Sequence, residues 1–158
     1  MGTRYRYLAP TSTLRKDAPI RVTKEIVDRE GNPVTTLKHG DLAFVVIRVQ
    51  HPRACDNFVL CDRLPGGLEY EDAQLATRES ATLPNWTKEK RRFHVISQQN
   101  TGAQVRFFGS DYENDFIHVY PVRAATKGTF AIPAALIEDM YDPNYKGGHD
   151  PESTLTIQ

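Results

Sequence analysis

The chain has 158 residues, with 20 Lys plus Arg against 20 Asp plus Glu, so its formal net charge is zero at pH 7. This length suits one domain that buries a core without disulfides. The balanced charge gives no electrostatic reason to expect binding to nucleic acid or an anionic membrane. No apolar run approaches the roughly 20 residues that span a bilayer, and the first residues lack the apolar core of a signal peptide. We expect an N-terminal arm or sequence appended by cloning at 1–19, followed by one domain at 20–158.

The chain has two cysteines, Cys55 and Cys61. If residues 57–62 form a strand, a rise of roughly 3.3 Å per residue separates the two cysteines by about 20 Å. The Cα atoms of a disulfide lie within roughly 7 Å of each other, and the apolar run Phe58–Leu60 argues against a tight loop that would bring them together. We therefore expect both thiols to be unpaired. Their spacing also matches no zinc motif.

Short runs of β-branched and aromatic residues, separated by Gly, Pro and Asn, recur along the chain. No βαβ spacing is present, so we predict an all-β fold, an antiparallel β-sandwich of the macroglobulin-like or fibronectin-III-like kind. About eight strands are predicted, at residues 20–27, 42–49, 58–62, 91–96, 104–108, 115–124, 130–132 and 153–157. A further extended segment is expected at 68–70.

The most apolar run is Leu42–Val49. Alternation predicts that every second residue faces the core, whereas Phe44 and Val46 on the other face should be covered by a neighbouring loop or helix. Because Pro cannot donate to a ladder, Pro121 should mark a bulge or an edge position. Five side chains in apolar runs are expected to be largely buried: Val45, Ile47, Val49, Val59 and Phe130.

Residues 72–90 differ from the rest, being polar and charged without alternation. Residues 73–81 allow a short helix that Pro84 would end. We interpret 72–90 as a short insertion, compatible with helix, that crosses one end of the sandwich and is pinned by Trp86.

Candidate metal ligands are sparse. Residues 111–115 place oxygen ligands at alternate positions, as calcium loops do, but lack the central Gly and distal Glu of a helix–loop–helix site. A solvated hairpin between two strands is the favoured interpretation. His94 and His118 lie in predicted strands, but a pair without a third ligand is weak evidence for zinc. We predict no metal site and no cofactor.

No nucleophile with a neighbouring base stands out. Cys55 and Cys61 follow no helix N-terminus that would lower a thiol pKa, and Ser110 lacks the flanking pattern of a nucleophile elbow. The basic run 88–92 contains a glutamate and no aromatic platform, so we interpret it as a solvated strand entrance. We expect no protease, esterase or glycosidase activity.

The most informative segment lies near the C-terminus, where Met140 and Tyr141 stand side by side between acidic residues. Consecutive side chains of a strand point to opposite faces. Two large apolar groups presented together therefore indicate a turn or loop that docks onto something. The local sequence leaves a second interpretation open, in which one of the pair fills the domain's own core, because exposed apolar patches are uncommon.

Five motifs follow one another in an order typical of one family. They lie at residues 31–34 (Gly-Asn-Pro-Val), 37–41 (Leu-x-x-Gly-Asp), 62–69 (Asp-x-Leu-Pro-x-Gly-x-Glu), 122–133 (Val-Arg-Ala-x-Thr-x-Gly-x-Phe-x-x-Pro) and 138–143 (Glu-x-Met-Tyr-x-Pro). Through them residues 20–157 resemble the last macroglobulin-like domain of bacterial alpha-2-macroglobulins. The chain departs from the family at Ala134, where members often have a second proline, and over 72–115, which match poorly.

This resemblance implies a β-sandwich, in agreement with the pattern of strands. It also implies that the parent is a broad-spectrum protease inhibitor of the periplasm, acting in bacterial defence as an inner-membrane lipoprotein. In this family a protease cuts a bait segment, and the rearranged molecule traps it. Where members carry a Cys-x-Glu-Gln thioester, a Met-Tyr loop of the last domain covers it until cleavage.

The resemblance therefore implies an interdomain locking loop at Glu138, Met140 and Tyr141. Its implied partners are other domains of the same parent chain, especially the thioester-type domain. Target proteases trapped by the parent and a penicillin-binding protein of the same periplasm are further implied partners. No nucleic acid and no membrane contact by this domain are expected.

Two other functions remain open from the sequence. A generic immunoglobulin-like adhesion or binding module would share the Asp-x-Leu-Pro-x-Gly signature and would show an exposed groove or edge strand unrelated to Met140. An accessory domain for carbohydrate would need exposed aromatic side chains, for which Trp86 and nearby Tyr70 are the candidates.

Overall fold

The structure, a computed structural model, describes residues 19–71 and 83–158. The predicted helical segment 73–81 and nearly all of the expected arm at 1–19 lie outside the described residues. In chain order the strands are β1 (Arg21–Val27), β2 (Thr36–Leu37), β3 (Leu42–Gln50), β4 (Cys55–Arg63), β5 (Leu68–Tyr70), β6 (His94–Asn100), β7 (Gln104–Asp111), β8 (Asp115–Ala124), β9 (Gly128–Ala131), β10 (Ala135–Asp139), β11 (Asp142–His149) and β12 (Thr154–Ile157). A 3-10 helix spans Asn85–Glu89. No helix among these residues is long and apolar enough to cross a bilayer.

The strands form three sheets. One has the order β1-β3-β8-β5, the second β11-β10-β4-β7-β6, and the third β2-β12-β9. The first two sheets consist of antiparallel pairs and contribute side chains to one shared core. The predicted antiparallel β-sandwich is therefore confirmed.

The predicted strands are all present, with shifted ends, and β2, β10 and β11 were not predicted. Val45, Ile47, Val49 and Val59 are each at most 1% exposed, as predicted. Phe130 is less buried than these four, being half-buried, but it packs against the same core. Phe130 lies over a glycine turn at the margin of the core, where a Cβ on Gly67 would come within 2.4 Å of its ring.

The outer face of the first sheet is covered by the segment that carries the 3-10 helix. Phe44 and Val46 have no exposed surface, and Trp86 packs against the cluster that they form. The indole N–H of Trp86 donates a hydrogen bond of 3.0 Å to the carbonyl of Arg29. The predicted covering and the pinning role of Trp86 are confirmed. The prediction that the insertion crosses one end of the sandwich was wrong for residues 83–90. These residues instead cover the apolar outer face of β3.

Pro121 marks neither a bulge nor an edge strand. It lies inside β8, which has β3 on one side and β5 on the other, and its pairing with Phe44 continues an unbroken register. The carbonyl of Pro121 accepts a hydrogen bond from the N–H of Glu71, just beyond the end of β5. In a strand the N–H and the carbonyl of one residue point to the same side. The N–H that Pro121 lacks would therefore point toward Glu71, where β5 has ended, and the proline is tolerated there.

Candidate functional site

Met140 and Tyr141 form the two-residue loop of a β-hairpin. Asp139 ends β10 and pairs directly with Asp142, which begins β11. The pair therefore occupies a turn, as the sequence indicated, and the turn joins two strands that the sequence did not predict.

The backbone of this turn is unusual for a two-residue hairpin. Such loops favour conformations with positive φ, because their twist matches that of the flanking strands. Among the described non-glycine residues only Glu152 has a positive φ, so Met140 and Tyr141 do not adopt these conformations. The pairing register shifts immediately after the turn, from Asp139–Asp142 to Glu138–Lys146, and the three residues in between bulge out of the ladder.

The two side chains project into solvent. Met140 is 49% exposed and Tyr141 is 80% exposed. This excludes the interpretation in which one of the pair fills the core. Glu138, the third predicted site residue, is half-buried and lies in β10 between Val59 of β4 and Lys146 of β11.

The backbone of the turn is held from below. The N–H of Met140 donates a hydrogen bond of 2.8 Å to the carbonyl of Asn57 at the start of β4. The N–H of Tyr141 donates one of 2.9 Å to Oδ1 of Asp139. The backbone N–H groups of both exposed residues therefore have hydrogen-bond partners within the domain.

Arg53, in the connection between β3 and β4, clasps the base of the hairpin. Its Nη2 lies 2.7 Å from Oδ2 of Asp142 and 3.9 Å from Oδ2 of Asp139. Its guanidinium carbon lies 4.1 Å from the ring centroid of Tyr145, within the range of a cation–π contact. The hydrogen bond with Arg53 lowers the pKa of Asp142 from its usual value, assisted by the N–H of Asn144. Both partners are partly exposed, so the contact orients the turn more than it stabilises the fold.

Tyr145 and His51 continue these contacts into the core. The hydroxyl of Tyr145 donates to the carbonyl of Arg53 at 2.9 Å and accepts from its N–H at 2.9 Å. His51 is buried, with Nδ1 2.7 Å from the same carbonyl and Nε2 2.7 Å from Oδ2 of Asp111. The hairpin bearing Met140 is thereby linked to the connection between β7 and β8.

The predicted hairpin at the acidic segment 111–115 was wrong. β7 pairs with β4 and β6 of the second sheet, whereas β8 pairs with β3 and β5 of the first, so the segment is a connection that crosses from one sheet to the other. Its residues Tyr112 to Asp115 are exposed. Arg91, from the predicted basic run, binds three of its carboxylates, those of Asp111 at 3.0 Å, Glu113 at 3.1 Å and Asp115 at 3.5 Å. The carboxylates are thus used to hold a guanidinium group rather than arranged as an open cation site.

Other candidate residues are structural in this fold. In the described part of the chain no three His, Cys, Asp or Glu side chains are placed to hold a metal ion. Cys55 and Cys61 are both free and buried, and burial raises the pKa of each thiol to about 11. Burial also lowers the pKa of His118 to about 3, with a smaller contribution from the charge of Arg92.

The aromatic pair considered for carbohydrate binding is occupied within the domain. Trp86 packs on the outer face of the first sheet. Tyr70 lies 5.6 Å from the ring of Tyr120 and accepts a hydrogen bond from Gln98. Neither forms an open platform on which a sugar could stack.

Comparison with known proteins places these features in a family context. The family model described as the bacterial alpha-2-macroglobulin MG10 domain matches residues 20–144. Alpha-2-macroglobulin of Rickettsia conorii is 30% identical over 132 residues, covering 81% of this chain and 7% of that protein. The chain therefore spans less than a tenth of the length of this curated relative.

Solved structures share the fold. The chain superimposes on Escherichia coli alpha-2-macroglobulin activated by porcine elastase with a TM-score of 0.80 and 22% identity, covering 95% of this chain and 14% of that one. Salmonella alpha-2-macroglobulin reacted with methylamine gives a TM-score of 0.75 and 23% identity, covering 94% of this chain and 10% of that one. At these identities the likeness concerns the fold.

Proposed function

We propose that this chain, which belongs to the MG10 domain family of bacterial alpha-2-macroglobulins, is a non-catalytic interdomain module of a protease-trapping inhibitor. The Met140–Tyr141 turn is its locking element. The observation that carries this proposal is the exposure of both side chains on a base held by Asn57, Asp139 and Arg53. An adaptable thioether can dock and separate again, and a tyrosine combines a large apolar face with a polar tip.

The proposed lock has a physical reason if the parent carries a Cys-x-Glu-Gln thioester. A thioester is protected when water and amines are excluded from it. Docking of an apolar pair would exclude both, and withdrawal after protease cleavage would admit them. Activation of the E. coli relative by elastase and reaction of the Salmonella relative with methylamine support this extension.

The remaining partners and the location are part of the same proposal. The lock would contact other domains of the parent, foremost the thioester-type domain. The parent would trap target proteases in the periplasm, as a lipoprotein of the inner membrane acting in bacterial defence. A penicillin-binding protein of the same periplasm is a further proposed partner.

The test begins with replacement of both Met140 and Tyr141 by Ala. Because both side chains are exposed, the free energy of unfolding of this chain should change by no more than about 0.5 kcal/mol. In a thioester-containing parent, the same double variant should incorporate a fluorescent amine before any protease is added. The matched control is Ile96→Ala, since Ile96 is another large exposed side chain. A double variant whose thioester stays as unreactive as that of the control would refute the lock.

One observation favours a second candidate function, the generic immunoglobulin-like binding module. Strand β6 forms an open edge of the second sheet, and its Ile96 is 69% exposed. An unpaired edge can accept an extended segment as an added strand. In that case Ile96→Lys would abolish partner binding, whereas the Met140 and Tyr141 double variant would retain it.

A further inference from the structure

We infer that Tyr112, Met140 and Tyr141 together form one docking surface, called here the end surface. Its occupant is another domain of the same parent chain, with an apolar centre and a net positive rim. The inference rests on the proposed interdomain role but extends it to a second segment, the connection between β7 and β8 that carries Tyr112.

The register of the second sheet brings the Met140–Tyr141 hairpin and the β7–β8 connection to the same end. Asp139 of β10 and Gly109 of β7 both pair with Phe58 of β4, from opposite sides. Met140 follows Asp139, and Tyr112 comes three residues after Gly109, in the same direction along the sheet. Since neighbouring strands lie about 4.8 Å apart, the ends of β10 and β7, on either side of β4, are separated by roughly 10 Å across the sheet.

Exposed apolar area is concentrated at this end. In the described ranges four large hydrophobic side chains are markedly exposed: Ile96, Tyr112, Met140 and Tyr141. Three of the four belong to the end surface, and Tyr112 is 66% exposed. Single exposed apolar residues are ordinary, whereas large side chains grouped at one end are typical of an interaction site.

The charge around the end surface is negative. The segments 51–57, 111–115 and 139–142 carry six carboxylates. Three arginines reach this end. Arg53 and Arg91 bind its carboxylates, and Arg21 lines a groove beside Asp115. The excess of carboxylates favours a partner surface with a basic rim, since complementary charge sets orientation and suppresses wrong partners.

Ion pairs within the domain hold both segments of the end surface in place. Arg91 is bound by three carboxylates of the segment 111–115, and Arg53 clasps the Met140–Tyr141 hairpin. His51 bridges between them through Asp111 and the carbonyl of Arg53. A surface that is already ordered loses less entropy on docking.

A neighbouring domain is the occupant that the length of the relatives favours. The Rickettsia conorii relative extends far beyond the part matched here, which is 7% of it. An attached domain also needs only a modest contact area, because its effective concentration is high.

The experiment compares hydrogen exchange in this 158-residue chain and in the full-length parent. We expect residues 110–115 and 138–144 both to exchange about tenfold more slowly in the parent, as for amides that gain protection from a docked surface. The hairpin 100–104 at the opposite end of the sheet should not change. In the parent, Tyr112→Ser should then speed exchange at 138–144 several-fold, whereas Ile96→Ser should not. Thermal melts of both variants in the shorter chain check that they remain folded.

A salt series tests the chemistry of the partner. Raising the salt from about 0.1 M to about 1 M shortens the screening length from roughly 10 Å to 3 Å, so protection at 110–115 should decrease. Unchanged protection would overturn the basic rim.

The outcomes separate this inference from the proposed lock. Protection of 138–144 without 110–115 overturns the inference and leaves the lock standing, whereas protection of neither refutes both. Protection already present in the shorter chain assigns the surface to another occupant and overturns the inference. That occupant is a second copy if protection rises with protein concentration, and the chain's own residues 1–18 if protection disappears on their deletion.

Discussion

Lys24 of β1 and Asp62 of β4 form an ion pair inside the sandwich, with 2.6 Å between Nζ and Oδ1 and no exposed surface on either side chain. Nζ of Lys24 donates two further hydrogen bonds, to the carbonyls of Arg63 at 2.8 Å and Pro133 at 2.9 Å. The second oxygen of Asp62 accepts a hydrogen bond from the hydroxyl of Tyr120. Burial raises the pKa of Asp62, while Lys24 and Tyr120 oppose that rise. The pair connects the two sheets and the segment after β9.

Replacing Lys24 by Met should destabilise the domain by about 3–5 kcal/mol, because it leaves the Asp62 carboxyl buried without its partner. Urea unfolding measures this change. The double variant Lys24→Met with Asp62→Leu should recover part of the loss. The matched control is Arg48→Met, which breaks a partly exposed ion pair that also involves β1, between Glu25 of β1 and Arg48 of β3. Its expected effect is at most about 1 kcal/mol, and equal losses in the two single variants would contradict the prediction.

Replacing Arg53 by Met should loosen the Met140–Tyr141 turn without unfolding the domain. Arg53 contacts Asp142 and the ring of Tyr145 from an exposed position, so its loss removes the clasp but no core packing. Amide exchange measured by NMR should become faster at Tyr141 and remain unchanged in β3. Arg48→Met is again the control, and Arg53→Lys should restore only part of the order, since Lys lacks the planar group that stacks on an aromatic ring. A turn that exchanges equally slowly in Arg53→Met would show that the backbone bonds suffice.

The fold was predictable where burial follows alternation. Strand β3 is an example, because its core residues and its covered outer residues both follow from the order of apolar side chains. Strand β11 was not predictable, since Pro143, Asn144 and two glycines are typical of turns. It forms because β10 and the start of β1 lie beside it, and a Cβ on Gly147 would come within 2.0 Å of the carbonyl oxygen of Ile20. The need for a glycine at position 147 arises from Ile20, which is distant in sequence, so the residues around Gly147 do not indicate it.

The candidate site, like the fold, was predictable from the sequence only in part. The adjacent apolar pair Met140 and Tyr141 indicated a turn, and the turn is present. The residues that hold it were not indicated, because Arg53 and Tyr145 lie 92 positions apart in sequence. The residues next to Arg53 in the sequence form no recognisable motif, and those just before Tyr145 are typical of a turn. Only the packing of the β3–β4 connection against the hairpin brings the two together.

Both thiols should be slow to react in the folded chain and accessible after denaturation. Cys55 and Cys61 are free and buried, and burial raises the pKa of each to about 11. Only the thiolate reacts with a disulfide reagent, so its fraction at pH 8 is small in the native state. Titration of the unreduced chain should detect two thiols per monomer in denaturant. Without denaturant the same thiols should react far more slowly. Fewer than two thiols in a denatured monomer would contradict the unpaired assignment.

His118 should make the stability of the domain depend on pH between about 6.5 and 3. Burial lowers its pKa from the usual 6.5 to about 3, with its ring 4.0 Å from the ring centroid of Phe107 and its Nε2 buried without a hydrogen-bond partner among the described residues. The unfolded chain binds a proton on His118 below about pH 6.5, whereas the folded chain does not until about pH 3. This contribution to stability is therefore complete above pH 6.5 and is lost as the pH falls toward 3, with a slope of up to about 1.4 kcal/mol per pH unit. Replacing His118 by Phe should reduce the slope in urea unfolding measured across this range, and His94→Phe, at an exposed position on β6, should leave it unchanged. Equal slopes for the native chain and His118→Phe would show that His118 titrates alike in both states.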